Sequence, residues 1–463
     1  MMRTPSNRTE MRRSFGSHIA LALALLLLHT ACDVGELLQV ETPGKVPEEA
    51  LDNPQLAQTL TNGVITDVEC GWDSYVGAAA IHSDQFIQSS GNLTMRLWAS
   101  RGITADDANF AQGACQDWGY GLYTPLQTGR YQAETVFLRL QQFPDAAVTN
   151  KALLQATVRA FGAYTLVALG EGFCEITLSD IQTGEPGPLL TRRAVLELAE
   201  QRFTEAIELG TLAASQDIVN MAASQNIVNM ALGGRARVRL DLENFAGAIE
   251  DAAKIPAGYT RLATRDATDP RRYNHHYEWV NGPGWRHASV APNFRGLTWK
   301  GVADPRVRAT DGGRNGFDFV TPWWFHQKVT GRETPNRLTS PQERQLIIAE
   351  ASARLGDLAT ALSIVNDLHR TANIPAVEDS DAPTQDDVIR LVLEERNREL
   401  YAEGGHRLND MLRFRDTKFN IPFRGEPGSI HPNGVDQSGN AYGTTTCFPL
   451  PTVERSGNPK IPK

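Results

Sequence analysis

The stretch "ERQLIIAEASARLGDLATALSIVNDLHRTANIP", residues 343–375, decides the architecture. Its apolar residues recur at the helical period, break at Gly356 and Asp357, and resume until Pro375 stops them, so it reads as two helices joined by a tight turn. Other segments repeat the layout. Residues 131–143 place Val136, Leu138, Leu140 and Phe143 near one side, and residues 151–169 follow after a turn at Pro144. Residues 191–209 align Val195, Leu198, Ala199, Phe203 and Ile207, with Thr191 as the expected N-cap. A helix over about 227–240 leads through "DLENF" into another that ends before Pro256.

Setting "RARVRLDLENFAGAIEDAAKIP" beside "AEASARLGDLATALSIVNDLHRTANIP" shows the same plan: a helix rich in small residues, a turn, a second helix and a proline. The pattern resembles tetratricopeptide-type helix pairs, with spacing too irregular for a regular array. A separate repeat, "AASQDIVNM" followed at once by "AASQNIVNM", occupies 213–230. Nine residues make about two and a half helical turns, so inserting one copy inside a packed helix would rotate everything beyond it by about 180°. The repeat is therefore expected in the loop before a helix that starts near Ile227. Residues 66–125 and 256–335 carry little periodicity and many Gly, Pro, Asn and aromatic residues, which reads as loop-rich structure where binding surfaces tend to lie.

The N-terminus has the three zones of a secretory signal peptide: Arg3, Arg8, Arg12 and Arg13, the apolar run Ile19–Leu28, then small Thr30 and Ala31. The run is about half of the roughly 20 residues a membrane-crossing helix needs. Cys32 stands where a bacterial lipoprotein signal places its lipidated cysteine, although His29 occupies the usual leucine position. Met11 is an alternative start, and "MRRSFGS" carries the paired arginines of a twin-arginine signal.

The chain has 45 basic and 54 acidic residues, a net charge of -9, which gives no electrostatic reason to approach nucleic acid. Beyond Cys32 lie Cys70, Cys115, Cys174 and Cys447, an even set in a chain bound for an oxidising compartment. Of three possible pairings, Cys70 with Cys115 and Cys174 with Cys447 are favoured, the first closing a local loop and the second tying down the C-terminal tail. Their spacing matches no zinc motif.

Three C-terminal blocks, "LIIAEASARLGDLATALSIVNDLHRTANIP" (346–375), "EERNRELYAEGGHRLNDMLRF" (394–414) and "CFPLPTVERSGNP" (447–459), resemble in that order the SusD/RagB family of outer-membrane lipoproteins. The doubled Gly404–Gly405 before His406 and Arg407 departs from the family's single glycine and leaves the local register open. The resemblance implies a predominantly α-helical fold of irregular tetratricopeptide-like pairs with a loop-rich second lobe. It also implies nutrient binding without catalysis at the outer face of the outer membrane, lipid anchorage, and partnership with a SusC-like TonB-dependent transporter. The expected parts are a signal peptide (1–31), an anchor and tether (32–65), an N-terminal part with helical pairs (66–255), a loop-rich aromatic lobe (256–340) and a C-terminal helical part with its tail (341–463). Ahead of the second block Thr384 and Asp387 form an expected capping box, and within it Glu395, Arg396, Glu399 and Glu403 are spaced to pair along a helix that Gly404 and Gly405 end.

No H-E-x-x-H, G-x-S-x-G, P-loop or dinucleotide fingerprint is present. Adjacent His275 and His276, with Glu278, diverge in either helix or strand and make a poor metal site; no cofactor is expected. The functional signal is aromatic. All eight tryptophans (72, 98, 118, 279, 285, 299, 323, 324) fall in the two irregular regions, and flat rings beside placed polar groups suit the apolar faces and hydroxyls of sugars. The candidate ligand-binding residues are Trp98 with Asn92, and Trp285 with Trp323 and Trp324; the alternative is that these rings fill small loop cores. A glycan is the expected ligand. A peptide-binding member of the same family, or a helical assembly scaffold without a small ligand, are the other readings.

Overall fold

The computed structural model describes residues 51–113, 115 and 119–462. The expected signal peptide, Cys32, most of the tether and Trp118 lie outside the described residues. Ala57–His82 (α1) is a 26-residue helix where loops were expected from residue 66. From Val68 to His82 every residue is buried, so the helix has no polar stripe and therefore no readable period. Phe86–Gln88 (β1), Leu93–Ala99 (α2) and Ala108–Gln112 (α3) follow. Tyr123–Gln142 (α4) begins earlier than its apolar period, because its first turns bury Arg130 and Pro125 beside Tyr123 and Leu126. Lys151–Gly172 (α5) completes the hairpin.

Among the described residues α5 is the one helix long and apolar enough to cross a membrane, and 83% of its apolar window is buried within the protein. It is the central core helix, packed against α1 and α4. A Cβ on Gly162 would stand 2.6 Å from that of Ala133, so glycine sets how closely α4 and α5 approach.

Glu175–Thr177 (β2) and Leu189–Thr191 (β3) pair and lead into Arg192–Gln216 (α6), whose first turn is capped as expected: Ala194 N donates to Thr191 Oγ1 at 3.2 Å. Met221–Asp241 (α7) and Phe245–Lys254 (α8) continue the series. The duplicated nonapeptide corrects the expectation that both copies are loop. The first copy ends α6 and forms the turn, while the second is wholly helical within α7. Ile218 and Val219 are 83% and 85% exposed; their counterparts Ile227 and Val228 are 5% and 7% exposed. One copy bears the rotation in a turn and the other supplies the packed face, which preserves α7's register.

Residues 256–340 are short strands and turns. Arg261–Ala263 (β4), Ala288–Val290 (β5), Thr298–Trp299 (β6), Val302–Ala303 (β7), Ala309–Asn315 (β8), Pro322–His326 (β9) and Asn336–Thr339 (β10) form two-stranded antiparallel pairs, β5 with the earlier β1 and the others among themselves. β1 pairs with β5 in the register Phe86 to Val290, and β4 with β10 in the register Ala263 to Asn336, which fastens this region to the helices. Pro341–Leu355 (α9) and Leu358–Ala372 (α10) are the quoted hairpin: Gly356 adopts φ 90° at the break and Asp357 caps α10. Each of α5, α6, α7, α8, α9 and α10 packs on the next, giving a predominantly helical scaffold of irregular pairs.

Gln385–Glu399 (α11) opens with the expected Thr384–Asp387 capping box. It ends at Glu399 rather than at the glycines, and Gly405, at φ 74°, instead starts His406–Arg413 (α12). A Cβ on Gly405 would strike the Tyr75 ring, so the second glycine lets α12 lie against α1. The four charges expected to pair along the helix reach across elements instead, while Arg398 meets Glu394 along α11 at 2.9 Å. Arg396 reaches Glu350 at 2.5 Å and Asp410 at 2.8 Å; Glu395 meets Arg306 and His369; Glu403 meets Lys328 and Arg337. Arg407 pairs with Asp84, and Arg237 bridges Glu171 and the Gly404 carbonyl. Disulfides join Cys70 to Cys115 and Cys174 to Cys447, the favoured pairing. The second sits beside a Phe173–Phe448 bridge and holds the tail, which ends in the short helix Thr452–Ser456 (α13).

Candidate functional site

The turn that presents Trp285 is built by short local bonds. Tyr277–Asn281 forms a single π-helical turn, a geometry frequent at functional sites. His287 N donates to the Trp279 carbonyl at 2.7 Å and closes the loop between them. Within that loop Arg286, at φ 50°, folds its guanidinium back onto the Pro283 and Gly284 carbonyls and onto Asn315 O at 3.1 Å. Trp285 is thus held at the head of a stiff turn.

Beside it lies a cavity of about 550 Å³, within the range of small-molecule sites. Half-buried Trp285 and Tyr277 supply aromatic walls, and Glu278, Arg332, Glu333 and Thr330 the polar ones. Arg332 Nε donates to Glu278 at 2.6 Å, and its guanidinium lies 4.2 Å from the Tyr273 ring centroid, which fixes its plane. Trp285 stacks on His287 at 5.6 Å between centroids and meets Phe317 edge-on at 5.4 Å. Burial, helped by Arg286, holds the His287 imidazole down at about 4, so the ring beneath Trp285 is neutral at pH 7. Its Nδ1 and Nε2 face Ser90 Oγ and Tyr120 Oη at 2.8 and 3.4 Å.

The aromatic run continues to the surface. Phe317 is 6.1 Å from Phe319, which is 73% exposed beside Val320 at 69%. Their turn is fixed in advance: Asp318 accepts from the backbone of Val320 and Thr321 and from the Thr321 hydroxyl, and Asn315 Nδ2 donates to Phe319 O. Placed aromatic faces with a polar rim match a ligand whose rings carry both C–H surfaces and hydroxyls.

The other sequence candidates lie elsewhere. Trp98 is fully buried, edge-on to Trp279 at 5.5 Å, and offers no face to a ligand. Asn92 spends its side-chain oxygen capping α2, accepting from Met95 N at 3.2 Å. Trp323, 4% exposed, donates Nε1 to Val280 O at 2.9 Å, and its indole covers Gly312 so closely that a Cβ there would collide. Trp324, half-buried on the opposite strand face, lies under Arg295 at 5.0 Å. For Trp98 and Trp323 the loop-core alternative is the observed one, and the tryptophans are not confined to irregular structure, since Trp72 lies in α1 and Trp98 in α2. "HHYE" disperses: His275 pairs with Asp73, His276 with His326 at 2.7 Å, and Glu278 with Arg332. Tyr277, Arg332, Glu333, Phe317 and Phe319 were not singled out from sequence. Their nearest signal was the density of aromatic and turn residues in 273–335.

The segment 343–462 matches the family model described as the SusD family. This C-terminal segment is of the SusD family. Its fold is similar to that of a SusD-like carbohydrate-binding protein from Bacteroides vulgatus, with a TM-score of 0.63 and 14% identity over 88% of this chain and 97% of the other. A SusD superfamily protein from Parabacteroides distasonis gives 0.61 and 13% over 90% and 99%. A laminarin-binding SusD-like protein gives 0.59 and 14% over 87% and 98%. No curated protein matches the chain in sequence. At these identities the structural likenesses establish the SusD-like fold, and the ligand is argued from the site.

Proposed function

We propose that this chain is a glycan-binding lipoprotein, anchored through Cys32 to the outer face of the outer membrane, that hands its ligand to a SusC-like TonB-dependent transporter. The observation that carries the ligand class is the stiff turn that sets Trp285 against a cavity shared with Tyr277 and rimmed by Glu278, Arg332 and Glu333. A pyranose stacked on the indole would meet carboxylates and a guanidinium at its edge, the mix of apolar wall and placed polar groups expected of such sites. Carbohydrate and laminarin binding by proteins of the same fold supports this class. The two disulfides favour an exported protein, and the fixed Glu278–Arg332 pair suits binding and orientation rather than acid–base chemistry.

The test is calorimetric titration of the unlipidated chain from Asp33 onward with a panel of glucans, xylans and peptides, beside Trp285→Ala. A glycan that binds wild type and loses about tenfold or more in affinity with the variant, about 1.4 kcal/mol, supports the reading. Peptide binding without glycan binding refutes the ligand class, and co-purification with a TonB-dependent barrel tests the partner.

A further inference from the structure

We propose that the duplicated nonapeptide builds a second saccharide-binding site, in the cleft between the α4–α5 turn and the α6–α7 turn. The cleft holds about 670 Å³, room for a short oligosaccharide, and is lined by different elements from the Trp285 cavity. It rests on the glycan reading for the ligand class alone; its geometry is independent of it.

The charges in its wall are already satisfied within the protein. Lys151 Nζ donates to Asp145 and to the Phe143 carbonyl, each at 2.7 Å. Asp217 accepts from Val219 N at 2.9 Å and from Asn220 Nδ2 at 2.7 Å. The cleft is left with neutral groups that both donate and accept: the side-chain amides of Gln155 and Gln216, neither bonded to another described residue, and the Ser224 hydroxyl. Ser224 is fully buried behind this wall and its Oγ has no hydrogen-bond partner, a cost that a ligand hydroxyl would remove where binding opens the wall to it. Leu212, 46% exposed, and Val148 provide aliphatic surface between the polar groups.

Neutral donors and acceptors alternating with aliphatic surface fit a polyhydroxylated, uncharged ligand. An extended peptide is disfavoured, because helices and turns form the walls and no strand edge is offered for backbone pairing. The duplication places both halves of the wall: Gln216 and Asp217 belong to the first copy and Ser224 to the second.

The experiment is amide and indole N–H NMR of the chain from Asp33 onward, titrated with maltohexaose, laminarihexaose and xylohexaose in millimolar excess. Gln155→Leu and Gln216→Leu assign the side-chain signals. We expect saturable shifts of the Gln155 and Gln216 amides with at least one hexaose, retained in Trp285→Ala and weakened about threefold by Ser224→Ala. If only the Trp285 indole signal moves, the second site is overturned and the Trp285 reading stands. If only the glutamine amides move, the second site stands and the Trp285 reading falls. If no signal moves, both fall.

Discussion

Glu350 of α9 accepts a hydrogen bond from Arg396 of α11 at 2.5 Å and another from Arg413 of α12 at 2.6 Å, with its own carboxylate fully enclosed. The two guanidiniums hold the carboxyl well below the ordinary carboxylate range despite its burial. Removing the acceptor leaves the two arginines sharing the single carboxylate of Asp410. Glu350→Ala is expected to cost about 3–5 kcal/mol in urea unfolding, with Glu350→Gln in between. A loss under about 1 kcal/mol would show that the three helices are held by apolar packing alone.

Phe319 extends the aromatic run from Trp285 to the surface yet packs little, so under the proposed glycan reading it serves the ligand and not the fold. Phe319→Ala is expected to leave the melting temperature unchanged and to weaken binding of a long glycan more than that of a disaccharide. Equal weakening for both lengths would place Phe319 outside an extended site.

Stability should pass through a maximum near pH 6.5–7. Burial holds His82, His276 and His287 at about 4, and His326 and His406 well below the ordinary 6.5. Below 6.5 the unfolded chain takes up protons that the folded rings refuse until about 4, so stability falls with pH across that window, by about 3 kcal/mol for a ring held at 4. Two buried carboxyls act in the opposite sense: burial raises Glu343 to about 7 and, with Glu171 beside it, Asp241 to about 8. The folded state keeps these protons where the unfolded state has released them, so their contribution is lost as pH rises towards 8. Five rings outnumber two carboxyls below 6.5. Urea midpoints should drop from pH 6.5 to 4.5 and also from 7 to 8.5, and a flat profile between 6.5 and 4.5 would refute the assignment.

The two nonapeptides allow one substitution to be made twice. Val219→Ser, in the exposed copy, should change stability by less than about 0.5 kcal/mol, whereas Val228→Ser should cost about 2 kcal/mol or more. Equal costs would mean that both copies are packed.

How much of this was legible follows from how each element meets water. The hairpin 343–375, the Thr191 cap and the Thr384–Asp387 box were readable because half-exposed helices show a stripe and caps use short local bonds. α1 was not, since burial on every side from Val68 onward erases the period. Among the candidate tryptophans Trp285 borders a cavity, while Trp98 and Trp323 are buried, because composition reports a ring's presence and only the fold sets its burial. Glu278 and Arg332 are 54 residues apart, and only the fold brings them to one wall.

The repeated nonapeptide also makes the protein its own reference for measuring protection. Amide exchange rates depend on neighbouring side chains, and here the neighbours are almost the same in both copies, with only Asp217 exchanged for Asn226. Any difference in exchange between Val219 and Val228, each flanked by Ile and Asn, therefore reports the opening free energy of the surrounding structure directly, with the chemistry of the segment cancelled out.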